Sequence, residues 1–533
     1  MRHRPESTLL YQIVQEYWPE FQAELASHGR HLPVYVTKEF DEYLKCGRLE
    51  HGFLRVRCES CHDEKLVAFS CKHRGFCPSC GARRMTDSAT LLVDEILPHQ
   101  PMRQWVLSVP FPLRFLFARN PRIMTRALAI VYRAIATHLT RKAGFTKPTA
   151  QTGAVTLIQR FGSALNLNIH FHMLFLDGVY SSDSRPLRFR QTKAPSGIEL
   201  TQLTHTIATR VGRYLERQGL LERDNGQPYL TSEALGGDNE TPMHQLLGSS
   251  VTYRIAVGPQ KGNKVFTLQT LPDEGDEPLT TKVGNVAGFS LHAGVGTRAH
   301  ERDKLERLCR YITRPPVSTK RLSMTRNGRV RYELKTPWRN GTTHVMFEPL
   351  DFIARLVSLV PRPRVNLTRF HGVFAPNSKY RSRVTPANRG KRQRCRSVHG
   401  ADQTPAEKRA SMTWAKRLKR VFNIDVATCD KCGGYVRIIA SIEDPAVIQK
   451  ILAHLDNIAS SAATALLPDC RGIPPDVPSA TGCFLAASLF QPNSCHQGER
   501  CRAEGLLRSE SGFGVSGQLR RQRPGGPGER LSG

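Results

Sequence analysis

Residues 165–176 read LNLNIHFHMLFL, and the strict alternation of this stretch specifies a β-strand. Successive side chains on a strand point to opposite faces, so Leu165, Leu167, Ile169, Phe171, Met173 and Phe175 make one apolar face. The other face carries Asn166, Asn168, His170 and His172. Two strand residues separate the imidazoles, about 6–7 Å, a spacing at which both can hold one metal ion together with a bound phosphate. A His-apolar-His pair on a buried central strand points to a metal site for nucleic-acid cleavage, the alternative being two solvated or hydrogen-bonded histidines.

The rest of the chain fits such a strand into a large basic protein. Its 533 residues correspond to about three domains with linkers. Lysine and arginine number 77 against 46 acidic residues, a net charge of +31, so a polyanion is the expected partner and nucleic acid the leading one. Neither the start, MRHRPESTLLYQIVQEYWPEF, nor any later window supplies the ~18 consecutive apolar residues of a membrane span, and a soluble cytoplasmic protein is expected. Three of the 14 cysteines' groupings are Cys-x-x-Cys pairs, which in this context read as metal knuckles before disulfides.

Outward from the strand toward the amino terminus, residues 154–161 read as a second strand, 125–143 as a helix ended by Gly144, and 103–110 as a strand entering the main domain. Residues 9–26 read as a helix interrupted at Pro19, and 37–45 as another closed by Gly47. Between them and the main domain, Cys58-x-x-Cys61 and Cys77-x-x-Cys80 lie fifteen residues apart, with strand-like runs at 53–57 and 66–70. Four thiolates in this pattern predict a zinc ribbon on Cys58, Cys61, Cys77 and Cys80, with Cys46 and Cys71 free to replace a ligand or hold a second ion. Arg83 and Arg84 belong to a surrounding basic rim suited to DNA phosphates, unless the module is a zinc-stapled packing unit only.

Toward the carboxyl terminus, 198–218 has the period of a helix, 222–247 reads as a loop or insertion, and 251–257 with 264–270 as a hairpin turning at residues 261–263. The segment AHERDKLERLCRYITR (299–314) is helical, with Leu305, Leu308, Cys309 and Ile312 on its core face and Lys304, Arg307, Tyr311 and Arg314 on another stripe. Arg307, Arg310 and Arg314 surround Tyr311 with cations that favour a phenolate and attract a phosphate, although most tyrosines simply pack. A strand at 344–348 and a helix near 352–359 follow. Residues 376–420 carry a net charge of +12 and read as a solvated link or a nucleic-acid tether. Cys429-x-x-Cys432 supplies two ligands that need partners such as Cys395 or His399. After residue 460 lysine, tyrosine and tryptophan disappear, as in a disordered tail.

The runs QRFGSALNLNIHFHMLFLDGVY (159–180), GFSLHAGVGTRAHERDKLERLCRYITRPP (288–316) and ELKTPWRNGTTHVMFEPLDFIARLVSLVPRPRVNLTRFHGVFAPN (333–377), with the cysteine module before them, resemble the IS91 family of rolling-circle transposases. The likeness is closest to the transposase of ISCR common-region elements. It implies an α+β protein with a zinc-binding DNA-recognition domain (1–92) and an HUH-endonuclease domain with a ferredoxin-like antiparallel sheet (93–377), whereas composition alone marks the basic linker (378–412), the small unit (413–460) and the disordered tail (461–533). It also implies His170 and His172 as ligands of Mg²⁺ or Mn²⁺, with a third ligand among Asp177, Gln159 and His292, and Tyr311 as the nucleophile toward single-stranded DNA at element ends. Cutting would leave a 5′-phosphotyrosine and a free 3′-OH. Relatives with two tyrosines hold them four residues apart on this helix, whereas here that position is Arg307, so the single-tyrosine branch is expected. A nucleoid-associated transposase is thus the leading expectation. A rolling-circle plasmid replication initiator and a non-catalytic zinc-ribbon regulator are the alternatives.

Overall fold

In the computed structural model, which describes residues 4–181, 187–224, 227–235, 241–270, 283–388 and 428–464, the histidine strand runs from Leu167 to Leu176. It lies inside a six-stranded sheet ordered Val283–Val286, Phe289–Thr297, Met102–Ser108, Leu167–Leu176, Gly153–Phe161, Thr368–Gly372. Every neighbouring pair is antiparallel. The strand begins two residues later than the alternation implies. Leu165 sits in the reversal that joins the two central strands, in the left-handed region at φ 57°, and the Gly162 N–H closes that turn on the Asn166 carbonyl at 2.9 Å. A buried leucine tolerates this backbone only because its side chain still reaches the core.

The apolar face is fully buried under two helices, Phe111–Arg119 and Pro121–Lys142. Phe117 packs on Phe171 and the ring of Tyr132 stacks on Phe175, with centroids 6.2 and 5.7 Å apart. The second helix starts where it does because the Asn120 side chain accepts from the N–H groups of Arg122 and Ile123, with proline at the first helical position. A third helix, Gly197–Glu216, opens with a Ser196/Glu199 capping box and covers the outer strands.

The opposite face of the same sheet makes a second core. Val155, Leu157, Leu174 and Leu176 meet Leu305, Cys309 and Ile312 of the helix Arg302–Thr313, so the tyrosine helix lies on the face that bears the histidines.

Ahead of the sheet, the helix Leu9–Ser27 continues through Pro19 without the expected interruption. Pro19 lies on the exposed face of the helix, while Leu10, Val14, Trp18, Phe21 and Leu25 anchor both halves. The zinc-module hairpin forms as expected from Phe53–Cys58 and Glu64–Ala68. Its free edge is covered by a strand from far downstream, Val436–Ile442, so residues 428–464 pack onto the amino-terminal module instead of standing apart. Ile448 of the helix Pro445–Thr464 joins Leu49 and Phe53 in a small core.

Two other expectations are corrected. Residues 222–247 contain a short strand pair and the start of the helix Pro242–Val251. The turn at Gly262 forms, but residues 266–269 leave the expected hairpin to pair with Thr342–Phe347 in a separate four-stranded sheet. Most of the basic linker, and the tail beyond residue 464, lie outside the described residues.

Candidate active site and metal centres

The two imidazoles are adjacent, His170 and His172 having ring centroids 4.8 Å apart. His170 donates from Nδ1 to the Asn168 carbonyl at 2.9 Å, which leaves its Nε2 lone pair unshared. Burial pushes His170 down to about 4 and His172 well below the ordinary histidine value, so both rings are neutral at physiological pH, the state a metal ligand needs.

Flanking strands complete the cluster. Gln159 stands opposite His170 on the neighbouring strand, its Oε1 3.2 Å from His172 Nε2 and its Nε2 3.3 Å from the Ile312 carbonyl of the tyrosine helix. Gln104, on the other side, lies 2.7 Å from His172 Nδ1. A glutamine amide can turn over, so Gln104 serves either tautomer of His172, including the one that donates from Nδ1 and frees Nε2 for a metal. Two ligands side by side on an octahedral ion, each bonded at about 2.1 Å, stand about 3.0 Å apart. The 3.2 Å between His172 Nε2 and Gln159 Oε1 fits that separation.

The other two candidates for a third ligand do not join this cluster as closely. Asp177 lies five residues beyond His172, about 16 Å along the chain, and is held by Arg103 through two contacts of 3.0 and 2.7 Å. His292 pairs with Val106, which pairs with His172, so it sits on the right face but two strands away.

Tyr311 is half-buried, and its hydroxyl is enclosed without a hydrogen-bond partner. Two cations lie over its ring: Arg314 at 4.2 Å and Lys335 at 4.3 Å from the centroid. Burial and the nearby Arg321 bring Arg314 down to about 10, and desolvation beside Arg314 and Arg321 brings Lys335 down to about 8. Arg307 is exposed one turn before Tyr311, and Arg310 is half-buried.

Sequence reasoning missed Gln104 and Lys335. Gln104 was detectable as a polar residue alternating with buried Trp105 and Leu107; Lys335 follows a short strand and carries no periodic signal.

The zinc ligands are regrouped. Cys77 and Cys80 stand with Cys46 and Cys71, whereas Cys58 and Cys61 stand with Cys429 and Cys432. The reason is topological: Cys58 ends the hairpin strand that pairs with Val436–Ile442, which carries it away from Cys77. In the first quartet the Sγ separations include 3.7 Å from Cys46 to both Cys77 and Cys80, and 3.4 Å from Cys71 to Cys80. Tetrahedral Zn²⁺ with 2.3 Å bonds requires about 3.8 Å between sulfurs. Glu39 accepts from the Gly75 N–H at 2.6 Å and faces His73 at 3.1 Å, fixing the loop between Cys71 and Cys77.

The first quartet is also tied to the helix that carries Tyr311. Cys77 and Cys80 open the helix Pro78–Thr90, which packs along the tyrosine helix; a side-chain carbon on Gly81 would come within 2.5 Å of Pro315. Arg84 is half-buried and donates to the Lys72 and His73 carbonyls at 2.9 and 3.1 Å. Arg83 is half-buried on the same helix.

Among the described residues no helix is long and apolar enough to cross a membrane. No curated protein and no solved structure matches the chain. Residues 153–382, which span the histidine strand and the tyrosine helix, match a family model described as "Putative transposase". Residues 13–109, which hold the whole first quartet, match the model of a transposase zinc-binding domain of the IS91 type. Together with the cysteine clusters, these two matches support an IS91-type transposase that binds DNA and carries structural zinc.

Proposed function

We propose that this chain nicks and rejoins single-stranded DNA at element ends and drives rolling-circle transposition, on an HUH-type sheet of ferredoxin-like character and in the manner of the ISCR elements. The observation that carries the reading is the joint placement of Tyr311 and the His170/His172 pair on one sheet face, linked through Gln159. Tyr311 attacks the scissile phosphorus; the bond to the 3′ oxygen breaks, leaving a 3′-OH and a 5′-phosphotyrosine. Arg314 and Lys335 over the ring stabilise the phenolate, and the exposed Arg307 and adjacent Arg310 meet the strand's phosphates. His170, His172 and Gln159 would hold the divalent ion, which when bound would polarise the phosphodiester. Two imidazoles and an amide oxygen suit Mn²⁺ better than Mg²⁺. With Arg307 in place of a second tyrosine, one protomer makes one covalent link at a time.

The test is nicking of labelled single-stranded oligonucleotides spanning an element end, with Mn²⁺ or Mg²⁺. The wild-type chain should release the upstream fragment with a free 3′-OH and retain the downstream fragment on protein through its 5′-phosphate, and Tyr311→Phe should bind the DNA but release no fragment. Absence of cutting by the wild-type chain on its own ends would instead point to a DNA-binding regulator. Mobilisation of a marked element separates transposition from plasmid replication.

A further inference from the structure

The second cysteine quartet belongs to neither matched region as a whole, because Cys429 and Cys432 lie beyond both. Cys58 ends the first strand of the amino-terminal hairpin and Cys61 lies just beyond it, while Cys429 follows Cys61 by 368 positions and Cys432 follows Cys58 by 374. Nevertheless the Sγ atoms of Cys58 and Cys432 stand 3.5 Å apart and those of Cys61 and Cys429 stand 3.6 Å apart, with all four within 4.8 Å of one another. Disulfides would require about 2.05 Å. The separations instead approach the ~3.8 Å of four thiolates around one tetrahedral ion.

The backbone around these sulfurs is built for the meeting. The strand pairing of Phe53–Cys58 with Val436–Ile442 is extended by the Glu59 N–H, which donates to the Tyr435 carbonyl at 2.8 Å. In the downstream knuckle the Gly433 N–H donates to the Cys429 carbonyl, and Gly433 takes φ 73°. Gly434 passes so close that a side-chain carbon there would stand 2.4 Å from Ser60 Oγ and 3.0 Å from Cys58 Sγ. Reciprocal ion pairs join the two knuckles, Lys65 to Asp430 and Lys431 to Asp63, each at 2.6 Å. Exposed pairs of this kind contribute little energy but fix which knuckle meets which.

We propose that Cys58, Cys61, Cys429 and Cys432 bind a second zinc ion, and that this ion clasps residues 428–464 onto the amino-terminal module. Two half-ribbons from opposite ends of the chain make one zinc ribbon, with the transposase domain enclosed between them. The clasp differs from the first quartet in access. Cys61 and Cys432 are exposed, whereas Cys46, Cys77 and Cys80 are buried, so the clasp ion is the one a chelator removes first.

The experiment is metal analysis and limited proteolysis of the full-length chain. Zinc content should be two per chain and should leave in two kinetic phases under a chelator, the fast phase accompanied by protease cleavage within residues 428–464. Cys432→Ser should lower the content to one, abolish the fast phase and leave residues 428–464 cleavable from the start. Gly434→Val, which keeps all four thiols, should weaken the fast-phase ion. One zinc in the wild-type chain, or Cys432→Ser with unchanged content and protection, would overturn the clasp. So would a pair of disulfides at these cysteines in metal-free protein purified without oxidant. None of these readouts depends on DNA cutting.

Discussion

Gln104→Met tests whether the glutamine beside His172 acts through the metal. The substitution keeps the length of the side chain and removes the amide that lies 2.7 Å from His172 Nδ1 inside the sheet. A ligating imidazole that loses the acceptor for its other N–H typically loses 10–100-fold in metal affinity, about 1.4–2.7 kcal/mol. The nitrogen left without a partner also costs about 1–3 kcal/mol of fold stability. The assay is the nicking rate against Mn²⁺ concentration. Half-saturation should rise 10–100-fold, while the rate at saturating Mn²⁺ stays within a few-fold of wild type. Gln104→Glu, whose carboxylate still accepts from Nδ1, should restore half-saturation. An unchanged half-saturation, or a loss of rate that no amount of Mn²⁺ recovers, would refute the outer-shell role.

Three further outcomes follow from the geometry. Asp177→Ala should destabilise the fold by about 3–5 kcal/mol by leaving Arg103 without its carboxylate in a mostly buried site, and thermal unfolding reads this; half-saturation by Mn²⁺ should not move. His371, stacked on Tyr132 with its Nε2 buried, is held down to about 4 by burial against an ordinary 6.5. Its neutral form therefore supports the fold fully above pH 6.5 and progressively less as pH falls toward 4, so His371→Phe should reduce the acid-induced loss of stability by up to about 3 kcal/mol. Lys335→Met should slow nicking at pH 7 roughly tenfold, from about 1–2 kcal/mol of lost charge stabilisation at Tyr311. The wild-type rate should lose this advantage as pH rises through about 8, the Lys335 value, and Lys335→Arg should keep it beyond that pH.

What could be read directly from the chain was local. The histidine strand and the tyrosine helix declare themselves because periods of 2 and 3.6 depend only on near neighbours. Their convergence on one face does not, since it is set by Leu157 and Leu174 meeting Leu305 and Ile312 across the fold. The zinc ligands show the same division. Cys58-x-x-Cys61 and Cys77-x-x-Cys80 are recognisable knuckles, and their spacing invites a shared ion, yet each pair finds its partners elsewhere. Cys46 and Cys71 have no Cys-x-x-Cys spacing to single them out, and Cys429 and Cys432 arrive only through the pairing of Val436–Ile442 with Phe53–Cys58. Among the third-ligand candidates, the cross-strand register of Gln159 with His170 favours Gln159, and register is not contained in either strand's own pattern.

The most direct measurement is the identity of the residue that becomes linked to DNA. Full-length protein is incubated with an end-containing single-stranded oligonucleotide and Mn²⁺, denatured and digested with protease and nuclease, and the nucleotide-bearing peptide is sequenced by mass spectrometry. The expected result is a single modified peptide from the helix Arg302–Thr313 carrying a 5′-phosphate on Tyr311, absent from Tyr311→Phe and from the His170→Ala/His172→Ala double variant. A phosphonucleotide on any other residue, or an adduct that persists in Tyr311→Phe, would contradict the assignment of the nucleophile.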